Sequence, residues 1–384
     1  MKLFHLADLH IGKRLNEFSL IEDQRYVLDE ILEMMDEERP DVLIIAGDVY
    51  DKTMPSAEAV VVFDDFLWGV AERGVATLIV SGNHDSAERL SFGSRIMKSS
   101  NIHISRSYRP DSTPIVLEDD HGAISFHLLP FVKPVHVRHA LEADYPEEAA
   151  AIADYTDAVR AAVSHMGIDT SARNVLVAHQ FVAGSVRSDS EEINVGGLDN
   201  VDPCVFDGFD YVALGHLHAP QSVGRPQVRY SGTPLKYSFS EARHKKSVTV
   251  VEMGQKGDVE IRTLRLRPLR DLREVRGTYD QLMLRETYEG TDVEDYLSVV
   301  LTDEQDVPDA ISMMRTVYPN IMQLTYDNAR TRSNASLESL EAIERLTPLE
   351  LFSQFFEQQN NQPMSDAQRA YVERTIERIW EDAS

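Results

Sequence analysis

Five short polar clusters, each closing a brief apolar run, constrain this chain more than any other feature. They are Asp8-Leu9-His10, Gly47-Asp48-Val49-Tyr50-Asp51, Gly82-Asn83-His84-Asp85, His179 and Gly215-His216-Leu217-His218. The runs before them are Lys2 to Ala7, Val42 to Ala46, Thr77 to Val80, Val175 to Ala178 and Tyr211 to Leu214. These are rich in Val, Ile and Leu and too short for helices, so they read as buried strands. In layered α/β proteins ligands gather outside the carboxyl ends of strands. Five clusters at five such ends can therefore converge on one crevice, although Asp8 and His218 lie far apart in sequence.

Between the strands the pattern turns helical. Phe18 to Arg39 carries Ile21, Leu28, Ile31, Leu32 and Met35 at helical spacing, with Pro40 just beyond. Ala57 to Arg73 reads as a second helix ended by Gly74, and Glu147 to His165 as a third. This alternation predicts an α/β domain over residues 1–265. From about Leu266 the character changes. A strand (Tyr296 to Thr302), a helix (Pro308 to Tyr318) and a strand (Ile321 to Tyr326) predict a small α/β accessory domain over 266–330. Residues 331–384 read as a polar linker followed by a helix-loop-helix segment. Thr347-Pro348-Leu349-Glu350 opens its first helix and Ser365-Asp366-Ala367-Gln368 its second. Leu349, Phe352 and Phe356 share one face of the first helix, and Val372, Ile376, Ile379 and Trp380 one face of the second. Such a hairpin either packs on its own chain or docks a partner, and its small core favours docking.

Composition narrows the class. At 384 residues and 42% hydrophobic content the chain can fill two or more cores. A single cysteine, Cys204, leaves no internal disulfide framework, and the N-terminus carries nothing like a signal peptide. Since Asp8 belongs to the candidate site, the first residues are expected to be retained. No run of about 18 apolar residues occurs, so a soluble, cytoplasmic protein without membrane contact is expected. The net charge of −26 is awkward for a protein that handles nucleic acid, which is bound mainly through Lys and Arg. Lys13-Arg14, Arg243 to Lys246 and Arg262 to Arg276 are locally basic, and two bound divalent cations would make the site less negative than the formal count.

The clusters supply the inventory of two-metal phosphate ester hydrolysis, which needs cations about 3.5–4 Å apart and a carboxylate able to bridge them. Asp8 and His10, two apart on an extended segment, can point to one side. Asp48, after a glycine, is the natural bridge, and Asn83 offers a neutral carbonyl oxygen. His179, His216 and His218 add imidazoles, which suit Mn, Fe or Zn better than Mg. His84 would lie at the rim as general acid or electrostatic stabiliser. Asp51 or Asp85 would hold its tautomer by accepting a ring N–H.

Motif by motif, Asp8-x-His10, Gly47-Asp48-x-x-Asp51, Gly82-Asn83-His84-Asp85, His179 and Gly215-His216-x-His218 resemble the calcineurin-like metallophosphoesterase superfamily. Leu6 to Lys13, Ala46 to Asp51, Tyr211 to His218 and Arg229 to Phe239 resemble, within it, the family of SbcD exonuclease subunits. The resemblance implies a four-layered α/β/β/α sandwich with a small α/β cap domain that contacts DNA and a C-terminal helical hairpin. It implies that Asp8, His10, Asp48 and His218 hold one metal, that Asp48, Asn83, His179 and His216 hold the other, and that His84 is catalytic. It further implies Mn as the preferred metal, and double-strand exonuclease and single-strand endonuclease action at DNA ends and hairpins in repair and recombination. Also implied are a homodimer and an SbcC-like coiled-coil ATPase gripped through residues 347–384. Gly232-Thr233-Pro234 departs from the usual Gly-Ser-Pro, and the cap and tail are unusually acidic. The competing reading, a stand-alone phosphodiesterase or phosphatase for small or protein substrates, leaves the cap-like domain and the hairpin without a role.

Overall fold

Strands covered on both faces must be apolar throughout, and the Val, Ile and Leu runs become such strands. The computed structural model describes residues 1–188, 200–329, 331, 349, 352–353, 356–357 and 363–382. Met1–Asp271 forms one compact unit and Leu272–Ser384 a second.

The first unit is built on two six-stranded sheets. In spatial order the first comprises Val259–Arg265, Ser247–Met253, Lys2–Leu6, Val42–Ala46, Ala76–Val80 and Ile102–Ile104. Its last four strands are parallel, and Ser247–Met253 joins them antiparallel. The second comprises Gln221–Val223, Arg225–Tyr230, Tyr211–Gly215, Arg173–His179, Gly122–Leu129 and Ile115–Asp119. Its four inner strands are parallel. Alternate residues of the two sheets meet face to face: Leu3, Val42, Ile44 and Leu78 pack with Phe126, Val175, Val177 and Tyr211. The other face of the second sheet, with Leu176, Ala178, Val212 and Leu214, is covered by Val137 and Leu141 of helix Pro134–Leu141 and by Ala158, Val159 and Ala162 of helix Tyr155–Ser164. Helix Ile21–Glu38 buries Leu28, Ile31 and Met35 of its expected stripe together with Val27, while Ile21 and Leu32 are half-buried, and helix Ala57–Glu72 buries Val62, Phe63, Phe66 and Val70.

One buried cation ties the sheets together at the chain's start. Arg173 donates to both Asp119 carboxylate oxygens (2.5 and 3.1 Å), to Gly122 O (2.6 Å) and to Gly254 O (2.8 Å). The Met1 ammonium shares Asp119 (2.9 Å) and donates to Met253 O (3.0 Å).

Three helices depart from their expected spans. Phe18 and Ser19 pair as a short strand with Leu15 and Arg14, so the helix expected from Phe18 starts at Ile21. Glu147 to His165 is two helices, Pro146–Ala151 and Tyr155–Ser164, because Asp154 caps the second by accepting from Asp157 N. In the second unit the expected helix Pro308 to Tyr318 shortens to Ala310–Met314, entered through Asp309 at φ 51°. That unit holds a parallel sheet in the order Leu272–Gly277, Tyr296–Leu301, Ile321–Tyr326 over a core of Leu297, Val299, Leu301, Met314 and Tyr318. The Arg-rich stretch at 265–276 thus ends inside a strand. The helix start at Thr347-Pro348 lies outside the described residues, as does most of the helix it would open. Asp366–Asp382 is a helix, with Ser365 N donating to Gln368 Oε1 (2.9 Å). Val372 and Ile376 are half-buried there, whereas the side chains of Ile379 and Trp380 lie outside the description. Among the described residues no helix is long and apolar enough to cross a membrane.

Candidate metal centre

Parallel pairing places the carboxyl ends of Lys2–Leu6, Val42–Ala46 and Ala76–Val80 at one end of the first sheet, and those of Arg173–His179 and Tyr211–Gly215 at one end of the second. The loops prolong that pairing: Gly47 O accepts from Asp8 N (3.0 Å) and Asp48 O from His10 N (2.9 Å). The two ends meet so closely that a Cβ on Gly215 would sit 1.8 Å from Ala46 O. All five clusters therefore reach one place.

The backbone there is bent sharply. Asp8 (φ 53°), His10 (φ 44°), Asp48 (φ 46°) and His216 (φ 107°) are four of eight described non-glycine residues with positive φ. Such residues cost roughly 1–3 kcal/mol each and persist where surroundings over-determine them, as at ligand clamps. The surroundings here are hydrogen bonds to the strained residues themselves. Asp8 accepts from His216 N through both oxygens (2.9 and 3.1 Å), and Asp48 accepts from His84 N (2.8 Å).

Side-chain oxygens and imidazole nitrogens converge on one point. His179 donates from Nδ1 to the Ala46 carbonyl (2.9 Å), which fixes its tautomer and turns Nε2 inward. That nitrogen stands 3.0 Å from Asn83 Oδ1 and 3.3 Å from Asp48 Oδ2, while His216 Nδ1 stands 3.0 Å from the same Asn83 oxygen. Both ring nitrogens of buried His10 have no hydrogen-bond partner, and Nε2 lies 3.8 Å from Asp48 Oδ2. Ligand atoms of Asp8, Asp48 and His179 lie within 4.8 Å of one another, as do those of His10, Asp48 and His84, so Asp48 belongs to both groups. His218 joins through its ring, 5.2 Å from that of His10. Orphaned buried nitrogens beside converging oxygens fit divalent cations, which supply the missing positive charge.

Electrostatics agree with that fit. Burial works to lower the His179 pKa, but Asp48 and Asp8 raise it to about 9. A cation would displace the extra proton. Burial and the His179 charge push His216 down to about 3, so its nitrogen is already free to ligate at neutral pH. Burial works to raise Asp48, but His179 and His10 hold it well below the usual carboxylate range.

The neighbours of His84 differ from the expectation. Neither carboxylate of Asp51 or Asp85 accepts its ring N–H. Nδ1 donates instead to the Asp51 backbone carbonyl (3.1 Å). The Asp51 carboxylate meets Lys13 Nζ at 2.8 Å and His10 Nδ1 at 3.8 Å. Asp85 is occupied by three backbone donors, Val49 N (3.1 Å), Tyr50 N (3.0 Å) and Gly82 N (2.9 Å), which lock two of the loops together. Burial, with the Asp48 charge, lifts its carboxyl to about 6.

Residues 1–220 match the family model of calcineurin-like phosphoesterases, and residues 268–360 match the one described as type 5 capsule protein repressor C-terminal domain, SbcD_C. A Staphylococcus saprophyticus protein, named as the SbcD component of nuclease SbcCD, is 31% identical over 388 aligned positions, which cover 100% of both chains. The chain belongs to the calcineurin-like phosphoesterases, in the SbcD nuclease family. Two solved structures are looser likenesses. TT1561 of Thermus thermophilus is 9% identical over 68% of this chain and 98% of its own, with TM-score 0.38. A dimetal phosphatase from Danio rerio is 11% identical over 69% and 96%, with TM-score 0.40.

In this SbcD-family phosphoesterase, a metal-dependent enzyme with the family's four-layered α/β/β/α sandwich, the support behind the histidines went unseen in the sequence. Glu241, fully buried, accepts from His218 Nδ1 (3.0 Å) and from Lys246 Nζ (2.5 Å). Lys246 also donates to His218 O (2.9 Å) and to Thr233 Oγ1 (2.6 Å), so threonine at 233 keeps in this network the hydroxyl that the usual serine also carries. Tyr237 OH donates to Leu9 O (2.5 Å), and Gln24 Nε2 to His10 O (2.7 Å), fixing the first cluster from behind. A carboxylate behind a histidine sets its tautomer and raises its basicity.

Proposed function

We propose that this chain is the nuclease subunit of an SbcCD-type complex. It hydrolyses DNA phosphodiesters at ends and hairpins, as a double-strand exonuclease and single-strand endonuclease in repair and recombination, within the cytoplasm. The observation that carries the reading is Asp48 common to two groups of buried acceptors, one of them holding the unpartnered His10 nitrogens. Asp8, His10, Asp48 and His218 would hold one divalent cation, and Asp48, Asn83, His179 and His216 the other. The mixed imidazole and oxygen set suits Mn. Two cations held there supply Lewis acidity and a lowered water pKa.

The chain's own residues do the rest. His84 donates from Nδ1 to the Asp51 carbonyl, so Nε2, 4.0 Å from Asp48 Oδ2, faces the crevice; as the imidazolium, the ring passes its Nε2 proton to the leaving oxygen and is left neutral with Nδ1–H in place. Asp51 acts on His84 through that carbonyl, and its carboxylate orients Lys13. Met54, Val60, Val61 and Trp68, 45–70% exposed, support a homodimer made through the first unit. Residues 347–384 would bind the SbcC-like ATPase, and residues 266–330 would form the cap that contacts DNA.

Degradation of linear duplex DNA with Mn, measured with and without the ATPase, tests the reading. Rapid hydrolysis of a small phosphodiester together with no degradation of DNA would refute it.

A further inference from the structure

We infer that a strip of unpaired cations on residues 86–110 is the surface along which a DNA strand runs into the metal centre. The inference rests on the nuclease reading above and states where that substrate lies.

Six of the eleven Lys and Arg in the basic runs that stand out in the sequence are paired with the chain's own carboxylates. Lys13 pairs with Asp51 (2.8 Å), Lys246 with Glu241 (2.5 Å), Arg270 with Asp23 (2.9 Å), and Arg273 with Asp295 (2.6 Å). Arg262 pairs with Glu38 and Arg276 with Asp327. A guanidinium already held by a carboxylate has little to offer a phosphate. Residues 86–110 are different: they carry five cations, Arg89, Arg95, Lys98, Arg106 and Arg109, against the single carboxylate of Glu88. All five are exposed, and none is paired with a carboxylate among the described residues. Glu88 itself accepts from the Ser86 and Ser107 hydroxyls (3.1 and 2.9 Å).

The local fold turns this stretch into a path. The chain leaves the metal centre at Asn83, reverses at Gly93 (φ 73°), and returns through strand Ile102–Ile104. Arg95, Arg106 and Arg109 then line one depression of about 680 Å³, with Phe92, 84% exposed, among them. Arg109 also lines a groove of about 1230 Å³ with Arg89 and Lys133, beside the carboxylates of Asp85, Glu88, Asp111 and Asp144, and the same groove reaches Asn83 of the centre. Tyr108 lines that groove too, with its hydroxyl unpartnered. The two hollows share Glu88, Ser107 and Arg109, so they adjoin, and the Glu88 oxygens at the junction are taken by the Ser86 and Ser107 hydroxyls. On a chain of net charge −26, the outer depression sets three guanidiniums against one carboxylate, Glu88, which its serine partners already engage. An exposed aromatic between the cations offers a stacking face to an unpaired base.

The test replaces Arg89, Arg95, Arg106 and Arg109 together by Gln in the full chain. Rates of linear duplex degradation with Mn, at low DNA concentration, are followed against salt. Hydrolysis of bis-p-nitrophenyl phosphate is measured in parallel. The variant is expected to lose about tenfold or more in rate on DNA near 0.1 M salt, and its log rate against log salt should be shallower by about four. Hydrolysis of the small diester should be unchanged, which also shows that the variant is folded. Arg39→Gln/Arg265→Gln, exposed cations off the strip, controls for net charge. An unchanged slope in the strip variant, or an equal loss per charge in the control, overturns the proposal and leaves the nuclease reading standing. A wild-type chain that cleaves the small diester and not DNA overturns both.

Discussion

Replacing Lys246 by Met keeps the side chain's volume and removes its ammonium from beside Glu241, a carboxylate with no exposure at all. Removing one member of a buried ion pair costs about 3–5 kcal/mol, because the remaining charge is left in a dry site. At about 1.4 kcal/mol per pH unit, that raises the Glu241 pKa by roughly two to four pH units. In the wild type, burial works to raise Glu241, but the His218 hydrogen bond and the Lys246 charge hold it well below the usual range. Its contribution is then present above the unfolded pKa of about 4.3 and is lost as pH falls through the folded value. In Lys246→Met that rise brings the folded pKa back to about the unfolded value of about 4.3, so the stability that ionised Glu241 contributes above that pH is largely gone, while at lower pH the variant's carboxyl takes up a proton and its deficit narrows.

Guanidinium unfolding in EDTA at pH 3.5 and pH 8 reads this, since without metal no binding term enters. The variant's deficit against the wild type should be full, about 3–5 kcal/mol, at pH 8 and smaller by about 1 kcal/mol at pH 3.5. Glu241→Gln/Lys246→Met should regain much of the loss, because neither charge remains. Mn titration should show the single variant binding about 10–100-fold more weakly, since the carboxylate would no longer fix the His218 tautomer. A single variant that loses under about 1 kcal/mol at pH 8, with the same deficit at both pH values, would show that the pair does not work as a dry, compensated unit.

His84→Gln should retain both metals by elemental analysis and lose about 10²–10⁴-fold in DNA hydrolysis; loss of a metal would place His84 among the ligands. Gly215→Ala puts a Cβ 1.8 Å from Ala46 O, so it should destabilise by about 1–3 kcal/mol and weaken Mn binding, and normal affinity would mean the sheet ends can part without disturbing the site. Asp119 is held below the usual range by its hydrogen bonds to Arg173, so the stability it adds is lost as pH falls below about 4. Asp119→Asn should therefore flatten the acid side of a plot of Tm against pH, and an unchanged acid side would rule that carboxylate out as its source.

The sandwich was legible because its strands are buried on both faces and so cannot alternate with polar residues. A run such as Val42 to Ala46 has no other use in a folded chain. Helix ends were less legible. Asp154 reads as one more polar residue inside a continuous helical pattern, yet in space its carboxylate caps a new helix, and that hydrogen bond outweighs the propensity of the flanking alanines. Asp309 interrupts the second unit in the same way through a left-handed backbone.

The candidate site shows a sharper division. Residues whose side chains point into the crevice were legible, since each sits at a strand end and carries a ligating atom. Residues that support them were not, because Glu241, Lys246, Gln24 and Tyr237 approach from behind, on segments whose local sequence resembles ordinary surface. Charge misled for the same reason. Arg243-His244-Lys245-Lys246 reads as a solvated basic cluster, yet Lys246 is buried against Glu241, with Thr233 on its other side. Runs of adjacent cations in an acidic chain attract the chain's own carboxylates, so adjacency in sequence is poor evidence of a surface left for phosphate. Cations at wider spacing on residues 86–110, with one carboxylate among them, meet less internal competition. In a chain this acidic, the surface open to a polyanion is therefore found by asking which cations the fold leaves unpaired.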